Sequence, residues 1–175
     1  MFPELSSVAA AARGTLDRDA VKARVLARLL AGWTAADVEA AAADYAAHVV
    51  AARLRPDTAG RVEWHRSQGH RLVVISASPQ LYVEPIAHTL GFHAALATRL
   101  EVVDGRLTGR IVGANVRGPE KVRRLDEFVG GAAVTVWAYG DSSGDRELLA
   151  RADHAMRVTR GGLVPVSADG WTPAG

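Results

Sequence analysis

Two carboxylates, Asp141 and Asp145, share the turn Gly140-Asp141-Ser142-Ser143-Gly144-Asp145. The apolar run Ala133-Val134-Thr135-Val136-Trp137-Ala138-Tyr139 precedes it, and the helical pattern Arg146-Glu147-Leu148-Leu149-Ala150 follows. A strand that delivers acids into a turn before a helix places them at its carboxyl end, where open α/β sheets bind ligands. Acids so placed can converge on a hard cation such as Mg²⁺, which takes few carboxylates and completes its shell with water and phosphate oxygens. The same residues also suit a solvated turn that caps a helix. Two further groups belong with them. Ser76 ends the run Arg71-Leu72-Val73-Val74-Ile75-Ser76 and offers a hydroxyl, with the Ala77 amide near a helix start that favours anions. Lys121, at the helix opening Gly118-Pro119-Glu120-Lys121, adds a compact positive charge. A hydroxyl, an amide, an ammonium and a carboxylate pair are the parts that hold a phosphate beside a metal, and phosphoryl transfer rests mainly on such positioning.

The elements that must carry these groups are legible in the pattern. A helix is predicted from Asp17, with Val21, Val25, Leu26, Leu29 and Leu30 at helical spacings and Gly32 just past its end. Thr34-Ala35-Ala36-Asp37 resembles a capping box and opens a second helix reaching Leu54; Pro56 and Asp57 open a third that runs to Gly69. These helices carry no catalytic signature. His65 and His70 read as solvated; Tyr45, His48, Arg53 and Arg55 could face the site, but ordinary helix surface is the preferred reading. Trp33, Trp64 and Trp137 read as packing residues.

The run ending at Ser76 is short, apolar and continuous, as in a buried parallel strand. Pro79 suits the first turn of the next helix. A weaker strand is expected near residues 94–97. A hairpin follows, Leu100-Glu101-Val102-Val103 and Arg106-Leu107-Thr108 around Asp104-Gly105. After the Lys121 helix come the strand into Asp141, a helix, a last strand His154-Ala155-Met156-Arg157-Val158, and a Gly-rich tail. The order is that of an α/β protein with a Rossmann-like parallel sheet and a small helical cap. The divisions are residues 1–60 for the N-terminal segment and cap, 61–160 for the core and 161–175 for the tail.

Composition narrows the function classes. The chain has 175 residues, 49% of them apolar, enough for one compact core with an appendage. Lys and Arg number 21 against 19 Asp and Glu, and no basic run with interleaved aromatics appears, so nucleic acid is not an expected partner. There is no Cys, which excludes disulfides and thiolate metal sites. The His residues show no zinc spacing. No apolar run reaches the roughly 18 residues of a membrane span, no signal peptide is apparent, and a cytoplasmic location is the expectation. No motif fixes an oligomeric state. A nucleotide-binding Rossmann module is disfavoured, because no G-x-G-x-x-G follows a strand.

Val73-Val74-Ile75-Ser76-Ala77-Ser78, Gly118-Pro119-Glu120-Lys121 and Gly140-Asp141-Ser142-Ser143-Gly144-Asp145 together resemble the second, third and fourth motifs of the haloacid dehalogenase superfamily. The branch most similar is that of the phosphoserine-phosphatase-like hydrolases. The resemblance covers roughly residues 12–158. It implies a Mg²⁺-dependent phosphomonoester hydrolase acting on a small phosphorylated metabolite, with Ser76, Ala77 and Lys121 on the phosphate. It also implies that Asp141 ligates the metal and that Asp145 supports the metal site and Lys121.

That family's first motif is an apolar strand ending in Asp-x-Asp-x-Thr, whose first Asp attacks phosphorus and whose second is the general acid/base. No such motif occurs in this chain; Asp17-Arg18-Asp19 follows no apolar strand and reads as a helix start. The expectation is therefore a core without its central first strand and little or no turnover, arising from an internal Met taken as the start or from a lost 5′ end. The alternative is a non-catalytic phosphate-binding or interaction protein that keeps the fold. The strands ending at Ser76 and Tyr139 are then predicted either to pair directly or to leave a gap between them.

Overall fold

The computed structural model describes residues 18–166. Helices α1 (Arg18–Leu30) and α2 (Ala35–Arg53) form where the sequence predicts them, although Val25, Leu29 and Tyr45 of the predicted apolar positions are exposed, and the Thr34 hydroxyl caps α2 by accepting from the Asp37 amide at 3.1 Å. Helix α3 (Pro56–Ser67) begins with Pro, whose missing N–H removes nothing from the first turn. Strand β1 (Val73–Pro79) follows, then α4 (Gln80–Thr89), β2 (Ala94–Val103) and β3 (Arg106–Val112). Helix α5 (Pro119–Val129), β4 (Trp137–Gly140), a 3₁₀ turn at Ser143–Asp145, α6 (Arg146–Arg151), β5 (His154–Thr159) and β6 (Gly162–Pro165) complete the chain. Asp17, and with it the start of the Asp17-Arg18-Asp19 triplet, lies outside the described residues.

The α/β class and the helical module match the sequence expectation. Four details differ. Strand β1 runs past Ser76, the expected strand end, to Pro79, so Ser76 lies within it and Pro79 precedes α4 instead of opening its first turn. The weak strand at residues 94–97 and the first hairpin arm are one continuous strand. The first half of β2 pairs in parallel with β1, from Val73↔Ala94 to Ser76↔Ala97, and its second half pairs antiparallel with β3. The hairpin turn is the predicted Asp104-Gly105, both at positive φ (49° and 73°), which suits the twist of the arms. The Gly-rich tail begins with β6, which pairs antiparallel with β5. Finally, the apolar run before the acidic turn is strand only from Trp137. Residues 133–135 are exposed because β5 reaches back no further than His154, opposite Trp137, and the Asp153 carboxylate closes the ladder by accepting from the Val136 amide at 2.7 Å.

The strands form two sheets, β1–β2–β3 and β4–β5–β6. Strand β1 spends one edge on β2, and β4 spends one edge on β5. Among the described residues their other edges do not pair with each other. They flank a slot of about 550 Å³ lined by Val73, Ile75, Ala138 and Tyr139, with α3 on one face and α5 on the other. This is the gap rather than the direct pairing. Below the slot a small core holds the halves together: Leu125 of α5, Val136 and Ala138, and Leu148 and Leu149 of α6, with Ile75 of β1 packed against them.

The solvated reading of His65 and His70 does not hold. His65 is 6% exposed, its Nδ1 lies 2.8 Å from Nδ1 of His70, and its Nε2 lies 2.8 Å from the Tyr139 hydroxyl. Helical spacing could not bring the two together, but α3 stops at Ser67 and the turn through Gln68 and Gly69 swings His70 back over it. Trp137 stacks on His154 at 3.8 Å, as a packing residue should, whereas Trp33 is 57% exposed.

Candidate active site

The carboxyl ends of β1 and β4 and the amino end of α5 meet at one edge of the molecule. Helix α5 starts with Gly118-Pro119, and its one buried polar side chain, Lys121, turns inward with Leu125. The Lys121 ammonium donates to the Ile75 carbonyl at 2.9 Å and to Asp145 Oδ1 at 2.5 Å. It therefore sits between the middle of β1, one residue before Ser76, and the turn after β4. A buried charge is held only where it is paired and hydrogen-bonded. Both conditions are met.

Asp145 is fixed from its other side as well. Its Oδ2 accepts from the Ser142 amide at 3.0 Å and from the Ser142 hydroxyl at 2.6 Å, the reciprocal half of a capping box that nucleates the 3₁₀ turn. Burial pushes the Asp145 pKa up, but the hydrogen bonds from Lys121 and Ser142 and the charge of Lys121 outweigh it and hold the carboxyl below the usual Asp range. Gly140 is required for space: a Cβ there would lie 2.5 Å from the Asp145 Cβ. Two more bonds tie the loops, Gly118 N–H to the Gly144 carbonyl at 2.9 Å and Arg117 to the Ser143 hydroxyl at 2.9 Å.

Asp141 differs. It is exposed at the end of β4, and among the described residues its carboxylate accepts no hydrogen bond. Its charge reaches Arg55, in the link between α2 and α3, where Asp57 grips the guanidinium through Nε at 3.0 Å and Nη2 at 2.7 Å. Ser76 is half-buried, and its Oγ accepts from the Ser78 amide at 3.1 Å, leaving the hydroxyl proton to donate.

The structure therefore brings Lys121 and Asp145 into direct contact and sets Ser76 and Ala77 next to Ile75 on the same strand end. It places Asp141 at the neighbouring strand end with its oxygens uncommitted. One uncommitted carboxylate suits Mg²⁺, which needs few protein ligands; no group of three or more His, Asp or Glu side chains that could hold a metal occurs among the described residues. The resemblance gives Asp141 and Asp145 different parts, and their surroundings differ accordingly: one is open, and the other is engaged by Lys121 and Ser142.

A second polar cluster, unforeseen from the sequence, lies beside Ala77. Thr98 is fully buried, and its hydroxyl contacts the Ala77 carbonyl at 2.8 Å, Asn115 Oδ1 at 3.0 Å and the Val116 amide at 3.1 Å. Lys22 of α1 reaches the same Ala77 carbonyl and Asn115 Oδ1. The available signal was a Thr breaking an apolar strand.

No helix among the described residues is long and apolar enough to cross a membrane. Comparison with known proteins agrees with the geometry. The family model for haloacid dehalogenase-like hydrolases matches residues 3–150. Protein CicA of Caulobacter vibrioides is 40% identical over 147 residues, which cover 83% of this chain and 66% of that protein. A phosphoserine phosphatase of Streptomyces coelicolor is 34% identical over 151 residues, covering 83% of this chain and 35% of that protein. A crystal structure of a protein of unknown function from Bordetella pertussis superposes with a TM-score of 0.71 at 26% identity, over 82% of this chain and 66% of that one. The chain thus spans two thirds or less of the length of each of these relatives. It belongs to the haloacid dehalogenase-like hydrolase family, with phosphoserine phosphatases among its homologues.

Proposed function

We propose that this chain forms the phosphate- and metal-binding part of a Mg²⁺-dependent phosphomonoester hydrolase whose substrate is a small phosphorylated metabolite. The observation that carries this reading is the Lys121 ammonium, clamped between the end of β1 and Asp145, with the Asp141 carboxylate open beside it.

In this reading the Ser76 hydroxyl and the Ala77 amide donate to phosphate oxygens at the end of β1. Lys121 supplies charge from the floor of the site, and Asp145 keeps that ammonium aimed. Asp141 would hold the metal, with Asp145 behind it; a bound Mg²⁺ supplies charge neutralisation to the phosphate dianion. What these groups do is bind and orient. Covalent attack on phosphorus calls for a further carboxylate, and among the described residues the acids of this edge are committed to Lys121 or open for metal. Phosphate monoester hydrolysis is among the slowest uncatalysed reactions, so positioning alone leaves turnover low.

The test is calorimetric titration of orthophosphate with and without MgCl₂, beside hydrolysis of a generic aryl phosphate. Mg²⁺-dependent binding that Asp141→Asn abolishes, with little hydrolysis, is the expected outcome. Absence of binding under both conditions, or hydrolysis that survives Asp141→Asn, refutes these roles. A non-catalytic phosphate-binding protein shares the binding result; it is the better description if native sequence added upstream leaves hydrolysis unchanged.

A further inference from the structure

Lys121 is not the only protein cation beside this site. Its charge is offset by Asp145 at 2.5 Å, so the pair presents little net charge to an incoming dianion. Lys22 is placed differently. Its ammonium donates to the Ala77 carbonyl, to Asn115 Oδ1 and, at 3.4 Å, to the Thr98 hydroxyl, all uncharged acceptors. The acid acting on it is Asp19, one turn earlier on α1, at charge range, and Asp19 itself accepts from Asn115 Nδ2 at 2.7 Å. Burial lowers the Lys22 pKa more than Asp19 raises it.

The position of Lys22 is set by the fold. Helix α1 lies directly on β3, where Gly109 at φ 78° would put a Cβ 2.3 Å from the Ala27 Cα. The end of α1 is stitched to the hairpin by Gly32 N–H to the Leu107 carbonyl (2.8 Å) and Leu107 N–H to the Trp33 carbonyl (2.9 Å). The first half of the helix is thereby aimed at the end of β1. Thr98 and Asn115 arrive there from β2 and from the loop after β3. A half-buried ammonium with only neutral acceptors lowers its energy when an anion comes near, because little water screens the attraction.

On the reading of Ser76 and Ala77 as the phosphate cradle, the geometry points to Lys22 as a positioning and charge-selecting residue. It fixes the Ala77 peptide through its carbonyl and supplies the positive charge, unspent on a carboxylate hydrogen bond, that favours a phosphate dianion over a monoanion.

The experiment titrates orthophosphate at a pH where the dianion dominates, in MgCl₂, at low and high KCl. The proteins are the unmodified chain, Lys22→Met and Lys22→Arg, with thermal melts on each. Lys22→Met is expected to weaken binding roughly tenfold and to flatten the salt dependence, while Lys22→Arg keeps most of both. If the unmodified chain binds no phosphate, the proposed function fails and the role of Lys22 goes with it. If it binds and Lys22→Met binds equally well, only the role of Lys22 is overturned. That role is overturned too if Lys22→Met loses affinity with its salt dependence unchanged, since Lys22 then acts through packing alone.

Discussion

Asp145→Asn tests the centre of the site most directly. The exchange is nearly isosteric, so packing is kept while a charge is lost. In the folded chain the Lys121 and Asp145 side chains are 10% and 7% exposed, and their nitrogen and oxygen lie 2.5 Å apart. With Asn in place, the Lys121 ammonium keeps the Ile75 carbonyl and at most one amide oxygen. That oxygen is also claimed by the Ser142 amide and hydroxyl. Removing one partner of a buried pair leaves an uncompensated charge and destabilises by about 3–5 kcal/mol. The retained carbonyl and the amide oxygen put this case at the lower end, about 3 kcal/mol. For a domain of this size each kcal/mol moves the melting temperature by about 2–4 °C, so a fall of about 6–12 °C is expected.

The assay is urea unfolding of the unmodified chain, Asp145→Asn, Lys121→Met and the double variant. The double variant should regain most of the stability lost by Asp145→Asn, because no charge is then stranded, yet it should bind no phosphate. A loss below about 0.5 kcal/mol for Asp145→Asn, in the range of ordinary surface substitutions, would refute the claim that Lys121 depends on Asp145. Equal losses that simply add in the double variant would refute it too.

Other consequences follow from the same geometry. Gly140→Ala should cost about 1–3 kcal/mol through overpacking against Asp145 and weaken orthophosphate binding, both read from urea unfolding and titration. Because the slot edges of β1 and β4 are not paired with each other, slot-facing amides of β1 and β4 should exchange hydrogen far faster than the amides bonded to β2 and β5; uniform protection along β1 would contradict the slot. The folded pKa of Asp145 is depressed, so the unfolded chain binds its proton first, and the stability this provides, present above the ordinary Asp range, should drain as pH falls through it. Asp145→Asn should flatten that acid limb of the stability curve. His65 has its pKa lowered below 6.5, first by burial and then by His70 and Arg61, so the unfolded chain takes up protons that the buried ring refuses. Stability should therefore fall as pH drops below about 6.5, and His65→Gln should remove part of that fall.

What was legible in the chain, and what was not, divides along one line. Wherever a group is placed by local chemistry, the residues announce it. Thr34 caps α2, Asp104-Gly105 turns the hairpin, and Lys121 and Asp145 lie at element ends whose positions follow from the order of strands and helices; Ser76, expected to end its strand, lies within β1 instead. Wherever placement depends on two elements meeting, the pattern is silent. His65 and His70 meet only because a turn doubles back. Lys22 looks like any helix charge until α1 is seated on β3. The strand before Asp141 shortens because a strand needs a ladder partner, and its own apolarity cannot provide one.

The slot brings both kinds of inference to bear on the site. The strand ends that carry Ser76 and Asp141 belong to different sheets, so their separation is not fixed by a shared ladder of backbone hydrogen bonds. It is fixed by Lys121, by the Gly118–Gly144 and Arg117–Ser143 bonds, and by the small core around Leu125. Weakening that bridge should let the two halves of the site drift apart, so phosphate affinity and the rigidity of the β1–β4 edge should fall together. Leu125→Ala, which opens the core without touching the site, separates this from a local effect. It should cost about 2–5 kcal/mol and weaken orthophosphate binding under conditions where the chain is still folded. If affinity stays unchanged while stability falls, the small core does not help hold the strand ends, and the polar bonds alone set their separation.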